Sequence, residues 1–329
     1  MAGFLISIVL IYLSVRNINF KQSFDLIKNA NLYLVSMALI VFVFSYVVRT
    51  IRWHFLLLPL KKLHPMRSFY FLIFGFFMNN ILPLRLGEFV RAKVAGERFQ
   101  ISRSGVFATV VVERLMDIIV FIICFFLIAC FVDIPVWLKN SFLLCTAVFG
   151  SMLIVLFLMS KNSDNFLKFI NKLHLPVKIS EIVKSLFIKF AAGLKFFQNF
   201  KLVIYVFATS LMVWFVEAYS YQLFFAAFGV QVSLMESIFV IIVIGMGVII
   251  PTAPGFIGAI EFMGIIALGI FGVEKSTAFA CIASLHFADM MAIYLLGIVG
   301  IIKERLSFID LFKFATIEDN NEVNKKNEK

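Results

Sequence analysis

The chain has 329 residues, of which 62% are hydrophobic and only 15% are charged, and its mean hydropathy is +1.01. This composition is too apolar for a soluble globular protein and is typical of a polytopic α-helical membrane protein. The net charge of +11 does not indicate nucleic-acid binding, because the cations lie beside apolar segments, where they orient a membrane protein and attract anionic lipid.

Successive apolar segments predict an all-α bundle of membrane helices. They cover residues 2–15, 31–48, 68–82, 105–132, 141–159, 202–228, 235–250, 256–272 and 277–302. We interpret the first as a membrane helix and not as a removed signal. A helix rises about 1.5 Å per residue, so 68–82, 235–250 and 256–272 are short for a hydrocarbon core of about 30 Å. Because proline and glycine flank them, we expect broken or re-entrant helices there.

Lysine and arginine concentrate in residues 49–67, 83–104, 160–201 and 303–329. The positive-inside rule predicts that these regions, and hence the C-terminus, are on the cytoplasmic side of the cell (inner) membrane. The flanks of 68–82 are then both inside and those of 235–272 both outside. The units 31–132 and 202–302 become two copies of opposite orientation, as in many secondary transporters.

We expect one transmembrane domain over residues 1–305, followed by a polar cytoplasmic tail at 306–329. Its halves are joined by a basic connector at 160–201, in which apolar side chains share one helical face roughly opposite Lys184 and Lys195. Those apolar residues are Val183, Leu186, Phe187, Phe190, Leu194 and Phe197. This pattern predicts a helix on the anionic lipid of the cytoplasmic face.

Two helix-breaking motifs resemble each other. The first contains Asn79, Asn80, Pro83 and Gly87, and the second contains Pro251, Pro254, Gly255 and Gly258. Pro83 and Pro254, Glu88 and Glu261, and Asp117 and Asp289 are 171, 173 and 172 residues apart. The nearly constant spacing indicates an internal repeat, and breaks at matching places point to a transport site. Asn79 and Asn80 are expected to satisfy backbone groups that the first break frees.

Glu113, Arg114 and Asp117 lie inside the apolar segment 105–132, with Asp117 on the same helical face as the other two. A charge near the bilayer centre costs about 2.5–3.5 kcal/mol on insertion scales. Three charges together must therefore pair with one another or face a polar cavity. An internal salt bridge that fixes helix packing and a polar transport site are both compatible with this pattern.

Arg85, Glu88 and Arg91 surround the first break. A helix that restarts near Gly87 presents its positive end to the break, where a phosphate is favoured, and the two arginines would add contacts to it. The alternative is that these cations are positive-inside residues at the membrane surface.

The second half contributes Glu217, Glu261, His286 and Asp289. His286 and Asp289 share a helical face, and histidine titrates near neutral pH, so His286 is a candidate proton carrier or simply a hydrogen-bonding partner. Glu217 lies in the middle of segment 202–228, either as a coupling acid or as the ion-pair partner of another helix.

No nucleotide-binding loop or hydrolase motif is present in the sequence, and the four cysteines lack zinc-site spacing. We therefore expect no cofactor, no metal and no catalytic residue, which favours a transporter over an enzyme.

Three motifs carry a family resemblance: Asn80 to Ala92, Glu113 to Asp117, and Pro254 to Glu261. In these the chain resembles the lysylphosphatidylglycerol synthase transmembrane-region family, whose members are also called flippase-like domain proteins. The resemblance covers roughly residues 1–305. It implies a membrane domain that moves a phospholipid, in some members an aminoacylated one, to the other leaflet. The soluble aminoacyltransferase domain of some members is not expected here.

Our hypothesis is that the protein moves a phospholipid or a lipid-linked head group between leaflets. Arg85, Arg91 and Arg114 would bind phosphate. A cationic head group or protons would be bound by the acids Glu88, Glu113, Asp117, Glu261 and Asp289. The alternatives are an intramembrane transferase acting on a polyprenyl-phosphate-linked sugar, and an accessory subunit of a separate synthase enzyme.

Overall fold

The computed structural model describes residues 2–161 and 177–306, and throughout these residues the regular structure is helical. The helices are α1 (Ala2–Val15), α2 (Phe20–Lys28), α3 (Leu32–Leu57), α4 (Pro65–Ile81), α5 (Leu86–Phe99), α6 (Arg103–Ile128), α7 (Val136–Lys161), α8 (Val177–Gly193), α9 (Phe200–Ala227), α10 (Leu234–Gly247), α11 (Ala259–Ile270) and α12 (Lys275–Lys303). Short 3-10 turns lie at Pro83–Arg85, Leu194–Gln198 and Pro254–Phe256.

Helices α3, α9 and α12 are each long and apolar enough to cross a membrane, and α1 with α2, which are bent by 87° at their junction, make up to one further span. Helix α6 has 26 residues, as many as α3, but charged residues interrupt its apolar sequence. The chain is thus an all-α polytopic membrane protein, as the apolar segments predict.

Helix α3 extends further than its apolar sequence predicts. Asn31 starts it by accepting hydrogen bonds from the backbone of Tyr33 and Leu34, and the helix continues to Leu57. Arg49 and Arg52 therefore lie inside it, 3% and 0% exposed. The apolar segment predicted at 31–48 thus ends too early, because partners on other helices neutralise the two arginines within the bundle and the helix continues through them.

The long helices α3 and α9 pack against each other in an antiparallel pair. At one end the backbone N–H of Asn31 donates to the carbonyl of Ala227 at 2.9 Å. Further along, the Ser220 hydroxyl donates to the carbonyl of Ala38 at 2.7 Å. This pair connects the two halves of the chain.

Helices α4 and α5 form an antiparallel hairpin. The rings of Phe71 and Phe99 are 4.8 Å apart near its open end, and Gly75 faces the side chain of Arg91. Near the tip, a Cβ on Gly87 would lie 2.4 Å from the Gly75 carbonyl oxygen and from the Asn79 nitrogen. Glycine at position 87 is therefore what allows the two backbones to approach so closely.

Helices α10 and α11 form a second antiparallel hairpin. The rings of Phe239 and Phe271 are 5.3 Å apart near its open end. Closer to the tip, Gly247 faces the Met263 side chain and the Ala259 carbonyl. Each hairpin is joined at its tip by one of the two sequence breaks.

The apolar face of the basic connector is partly packed against the rest of the protein and partly exposed. Phe187 and Leu194 are buried, whereas Leu186 is 53% exposed. A Cβ on Gly193 would lie 2.3 Å from the Gly105 carbonyl oxygen, so the end of α8 is pressed onto α6. The remainder of the connector, residues 162–176, and the tail from 307 lie outside the described residues.

Candidate functional site

The first break turns the chain between α4 and α5. Leu84 and Arg85 adopt the left-handed backbone conformation, with φ of 57° and 55°, which side-chain-bearing residues rarely do. Asn79 and Asn80 do not act as predicted: Asn79 Oδ1 and Asn80 Nδ2 have no hydrogen-bond partner among the described residues. The turn is closed by its own backbone instead, since the N–H of Leu86 donates to the Pro83 carbonyl.

The second break turns the chain between α10 and α11. Gly255 and Gly258 have φ of 71° and 92°, values that suit glycine. The N–H of Gly258 donates to Glu261 Oε2 at 2.6 Å. The other oxygen of Glu261 is 2.6 Å from His286 Nδ1, and His286 Nε2 is 2.9 Å from the Gly255 carbonyl oxygen.

The two breaks meet each other inside the protein. The guanidinium carbon of Arg85 lies 5.5 Å from the ring centroid of Phe256, a cation–π contact between the two tips. Gly255 lies beside the Asn80 carbonyl, to which the Tyr294 hydroxyl donates at 3.5 Å. Motifs about 170 residues apart thus form one structural unit.

A fully buried ion-pair network lies behind these tips. Arg52 bridges two acids of α6, at 3.2 Å from Glu113 and 2.5 Å from Asp117. Arg91 of α5 binds the second oxygen of Glu113 at 2.6 Å and stacks on the ring of Trp53 at 4.4 Å. The guanidinium groups compensate the acids, so the charges inside the bundle are stabilised by pairing.

Arg114 extends the network toward the first break. It lies 2.6 Å from Glu113, 3.3 Å from Asp117 and 3.5 Å from Glu88. Trp214 of α9 donates from its indole N–H to Asp117 at 2.9 Å.

A further ion pair joins the two long antiparallel helices. Arg49 of α3 binds Glu217 of α9, and its guanidinium carbon lies 4.7 Å from the Trp214 ring. Of the two roles predicted for Glu217, the ion pair with another helix is the one that this contact forms.

A cavity of about 550 Å³ lies between the network and the two tips. Its wall is mostly apolar, with exposed Leu84 and Ile249 among the lining residues, so the cavity is open to the surroundings there. Its polar lining comes from both halves: Tyr46, Arg49, Asn79, Asn80, Arg85, Glu88, Arg114, Asp117, Trp214, Glu217, Tyr221, Thr252, His286 and Asp289. Pro251 of the second break also lines it.

The predicted site residues therefore separate into two groups. Seven of the ten charged or histidine candidates line the cavity. Arg91, Glu113 and Glu261 do not: Glu113 and Glu261 hold the lining residues Arg114 and His286 from behind, and Arg91 in turn holds Glu113. Pro83, Gly87, Pro254, Gly255 and Gly258 shape the two tips without lining the cavity.

Two ionisable side chains that face the cavity have no ionic partner among the described residues. Arg85 and Asp289, from opposite halves, make no hydrogen bond or ion pair with any described residue. Asp289 is 9% exposed, and the hydroxyls of Tyr46 and Tyr221, which line the same cavity, also lack partners among the described residues. Among the described residues, the cavity thus offers one unpaired guanidinium group, from Arg85, and one unpaired carboxyl group, from Asp289. Among the described residues, no cluster of histidine, cysteine and acids has the arrangement of a metal site.

Sequence reasoning did not assign Arg49, Arg52, Tyr46 or Trp214 to the site. A usable signal was present, because Arg49 and Arg52 are three residues apart and therefore on one helical face beside Tyr46 and Trp53. Averaged hydropathy hides this signal, since each arginine lowers the apolar score of the helix that contains it.

Comparison with known proteins agrees with this architecture. The family model described as "Lysylphosphatidylglycerol synthase TM region" matches residues 1–297. A UPF0104 membrane protein of Methanothermobacter thermautotrophicus is 24% identical over 84% of this chain and 87% of its own length. Another, from Methanocaldococcus jannaschii, is 26% identical over 89% of this chain and 90% of its own length.

No solved structure was found to match the chain. The family match spans both breaks, the buried ion-pair network and the cavity. The chain belongs to the family of lysylphosphatidylglycerol synthase transmembrane regions.

Proposed function

We propose that this protein moves a phospholipid, or a lipid-linked head group, between the two leaflets of the cell membrane. The observation that carries the proposal is the cavity with its unpaired Arg85 and Asp289. A lipid crossing a bilayer needs a polar path for its head group beside an apolar surface for its chains. Charged groups and apolar side chains lie together in this cavity.

The arrangement of the helices supports an inverted repeat. The series α3–α4–α5–α6 has the same order of elements as α9–α10–α11–α12: a long helix, a hairpin with a broken tip, and a long helix. The contacts also correspond, because α4 packs on α12 as α10 packs on α6. With the cationic regions on the cytoplasmic side, the two hairpins enter the membrane from opposite faces.

The two free charges suggest how a head group is held. Arg85 suits a phosphate, since its guanidinium presents several donors to phosphate oxygens. Asp289 suits an ammonium group, which the hydroxyls and ring faces of Tyr46 and Tyr221 would also accommodate. Arg91 and Glu113, which the sequence assigned to head-group binding, support the site through their own ion pair instead.

A reconstitution experiment tests the proposal. The purified protein is placed in liposomes that carry fluorescent phospholipids, and the rate at which the label reaches the other leaflet is measured. We expect Arg85→Gln and Asp289→Asn to slow transfer by about tenfold or more, since one head-group contact of about 1.4 kcal/mol is worth that factor. Neither substitution breaks an ion pair, so folding should be preserved.

Matched controls neutralise charges elsewhere. Arg103→Gln and Glu97→Gln each remove one charge from an exposed ion pair at 2.7 Å and should leave transfer unchanged. Transfer by the wild type no faster than in protein-free liposomes would overturn the proposal. If the same vesicles convert an added polyprenyl-phosphate-linked sugar into product without moving lipid, a transferase is the better assignment. Activity that requires a separate synthase would support an accessory role.

A further inference from the structure

We propose that Glu261 and His286 form a proton-binding latch that holds the second break closed, and that lipid transfer is coupled to the protonation of this pair. The inference rests on the proposed transport function and adds a chemical species, the proton, that would drive or gate it.

The hydrogen-bond count carries the argument. His286 Nε2 faces the Gly255 carbonyl oxygen at 2.9 Å, and a carbonyl can only accept. Nε2 must therefore carry a hydrogen. His286 Nδ1 faces Glu261 Oε1 at 2.6 Å, and this contact also needs a hydrogen between its two atoms. The pair thus holds two protons, one more than a carboxylate with a neutral imidazole.

Loss of the extra proton turns one of these contacts repulsive. If the remaining proton is on Nδ1, the lone pair of Nε2 faces the Gly255 carbonyl. If it is on Nε2, the lone pair of Nδ1 faces the Glu261 carboxylate. Only one of the two contacts survives in either case. An N–H binds a carboxylate more strongly than a carbonyl, so the remaining proton stays on Nδ1 and the Gly255 contact is the one expected to yield.

The latch acts on a segment that belongs to the cavity. Thr252, Ala253 and Phe256 of the break line it, and Phe256 carries the contact with Arg85. On its other side the segment is held by Ser7, whose hydroxyl donates to the Ile257 carbonyl and accepts from the Ala253 N–H, both at 2.8 Å. The Ser7 contacts involve no exchangeable extra proton, unlike those of the Glu261–His286 pair.

The charged groups around the pair are few. Asp289 lies one helical turn along α12 and has Glu217 of α9 as an electrostatic neighbour. Arg85 approaches from the first break through Phe256. Helix α1, which supplies Ser7, contains no charged residue. Because Asp289 and Arg85 are the groups assigned to the head group, binding of lipid and binding of the proton would influence each other.

The test reads the break directly with a thiol probe. The variant Thr252→Cys is made in a chain whose native cysteines are substituted; Thr252 is 5% exposed. The reaction of the new thiol with a water-soluble maleimide is then followed at about pH 5.5 and about pH 8. Native Cys145, which also lines the cavity, serves alone in a second chain as the reference for the pH dependence of thiol reactivity. We expect the labelling rate of the Thr252→Cys chain, divided by that of the reference chain, to rise about tenfold at the higher pH.

Glu261→Gln is the decisive variant. The glutamine amide donates to His286 Nδ1 while its oxygen accepts from Gly258, so the latch stays closed without an exchangeable extra proton. This variant should show a constant labelling ratio at both pH values. Equal pH responses of wild type and Glu261→Gln, or no response in the wild type, would overturn the latch.

Transport measurements separate the two proposals. In liposomes with an imposed pH gradient, wild-type transfer should change by severalfold while that of Glu261→Gln should not. Wild-type transfer that ignores the gradient would reject the coupling but leave lipid transport standing. Absence of transfer under all conditions would reject transport itself, and the labelling result would still decide whether the latch exists.

Discussion

Arg49 and Glu217 form a buried ion pair between α3 and α9 although 168 residues separate them in sequence. Helix α3 begins at Leu32 and α9 at Phe200, so the two side chains occupy equivalent positions in the proposed repeats. A cation in one copy is thus matched by an acid in the other, and the pair joins the halves at the cavity wall.

Removal of one partner of this pair should be more harmful than removal of both. Glu217→Gln leaves Arg49 buried without a counter-charge and should destabilise the protein by about 3–5 kcal/mol. The double variant Arg49→Met/Glu217→Leu should recover much of that loss. Thermal unfolding in detergent measures both, and a double variant less stable than the single one contradicts this account.

Arg52 should not tolerate lysine. Its guanidinium reaches Glu113 and Asp117 together, and it donates to Ser210 at 3.1 Å. A lysine ammonium cannot span these partners in one plane, so we expect a loss of about 3 kcal/mol. Arg103→Lys, in an exposed pair, should stay within about 0.5 kcal/mol, and similar losses in the two variants would refute the special role of Arg52.

Gly87→Ala should open the first hairpin. The added methyl group would meet backbone atoms of α4 at 2.4 Å, which cannot move aside as a flexible side chain can. We expect destabilisation of about 1–3 kcal/mol or more. Gly269→Ala provides the control, because nothing lies within 4 Å of its added Cβ. Equal decreases in the unfolding midpoint for the two variants would show that the close approach of α4 and α5 at Gly87 does not limit stability.

The two free charges should discriminate between head groups. Arg85→Gln should slow all phosphate-bearing lipids, whereas Asp289→Asn should mainly slow those that carry an amine. Transfer of phosphatidylethanolamine and phosphatidylglycerol analogues in the same vesicles measures this difference. Equal slowing of both lipids by Asp289→Asn would contradict the assignment of the ammonium to Asp289.

Helix α2 should lie along the membrane surface. It is bent by 87° from α1, and it exposes Phe20, Phe24 and Ile27 on one stripe. A Phe24→Trp variant in nanodiscs should be quenched by lipid-borne quenchers more strongly than an Asp25→Trp variant on the neighbouring polar face. The difference from the wild-type signal isolates the new tryptophan, and equal quenching would mean that α2 does not rest on lipid.

The helices could be predicted from sequence because apolar runs and breaks are local signals. The predicted segment 202–228 agrees with α9 to within two residues at either end, and 277–302 agrees with α12 similarly. The end of α3 could not be predicted in this way. Its last turns carry Arg49 and Arg52, whose partners come from α6 and α9, and a local window contains no information about such partners.

The candidate site was predictable as a set of residues but not as an arrangement. Nothing in the sequence distinguishes Arg91, which is 2% exposed and pairs with Glu113, from Arg85, which faces the cavity unpaired. Both are arginines near the same break. The packing of α5 against α4 makes the difference. Gly75 leaves room for the Arg91 side chain, which is buried between the helices, whereas Arg85 faces the cavity.

The meeting of the two hairpin tips changes what a polar group would have to cross. Under the proposed topology the two hairpins enter from opposite faces, so the contact between Arg85 and Phe256 would be a thin barrier where their tips meet. Much of a transmembrane voltage would then fall across this thin barrier instead of across the full hydrocarbon thickness. Small displacements of a few side chains there would decide which face of the membrane the cavity communicates with.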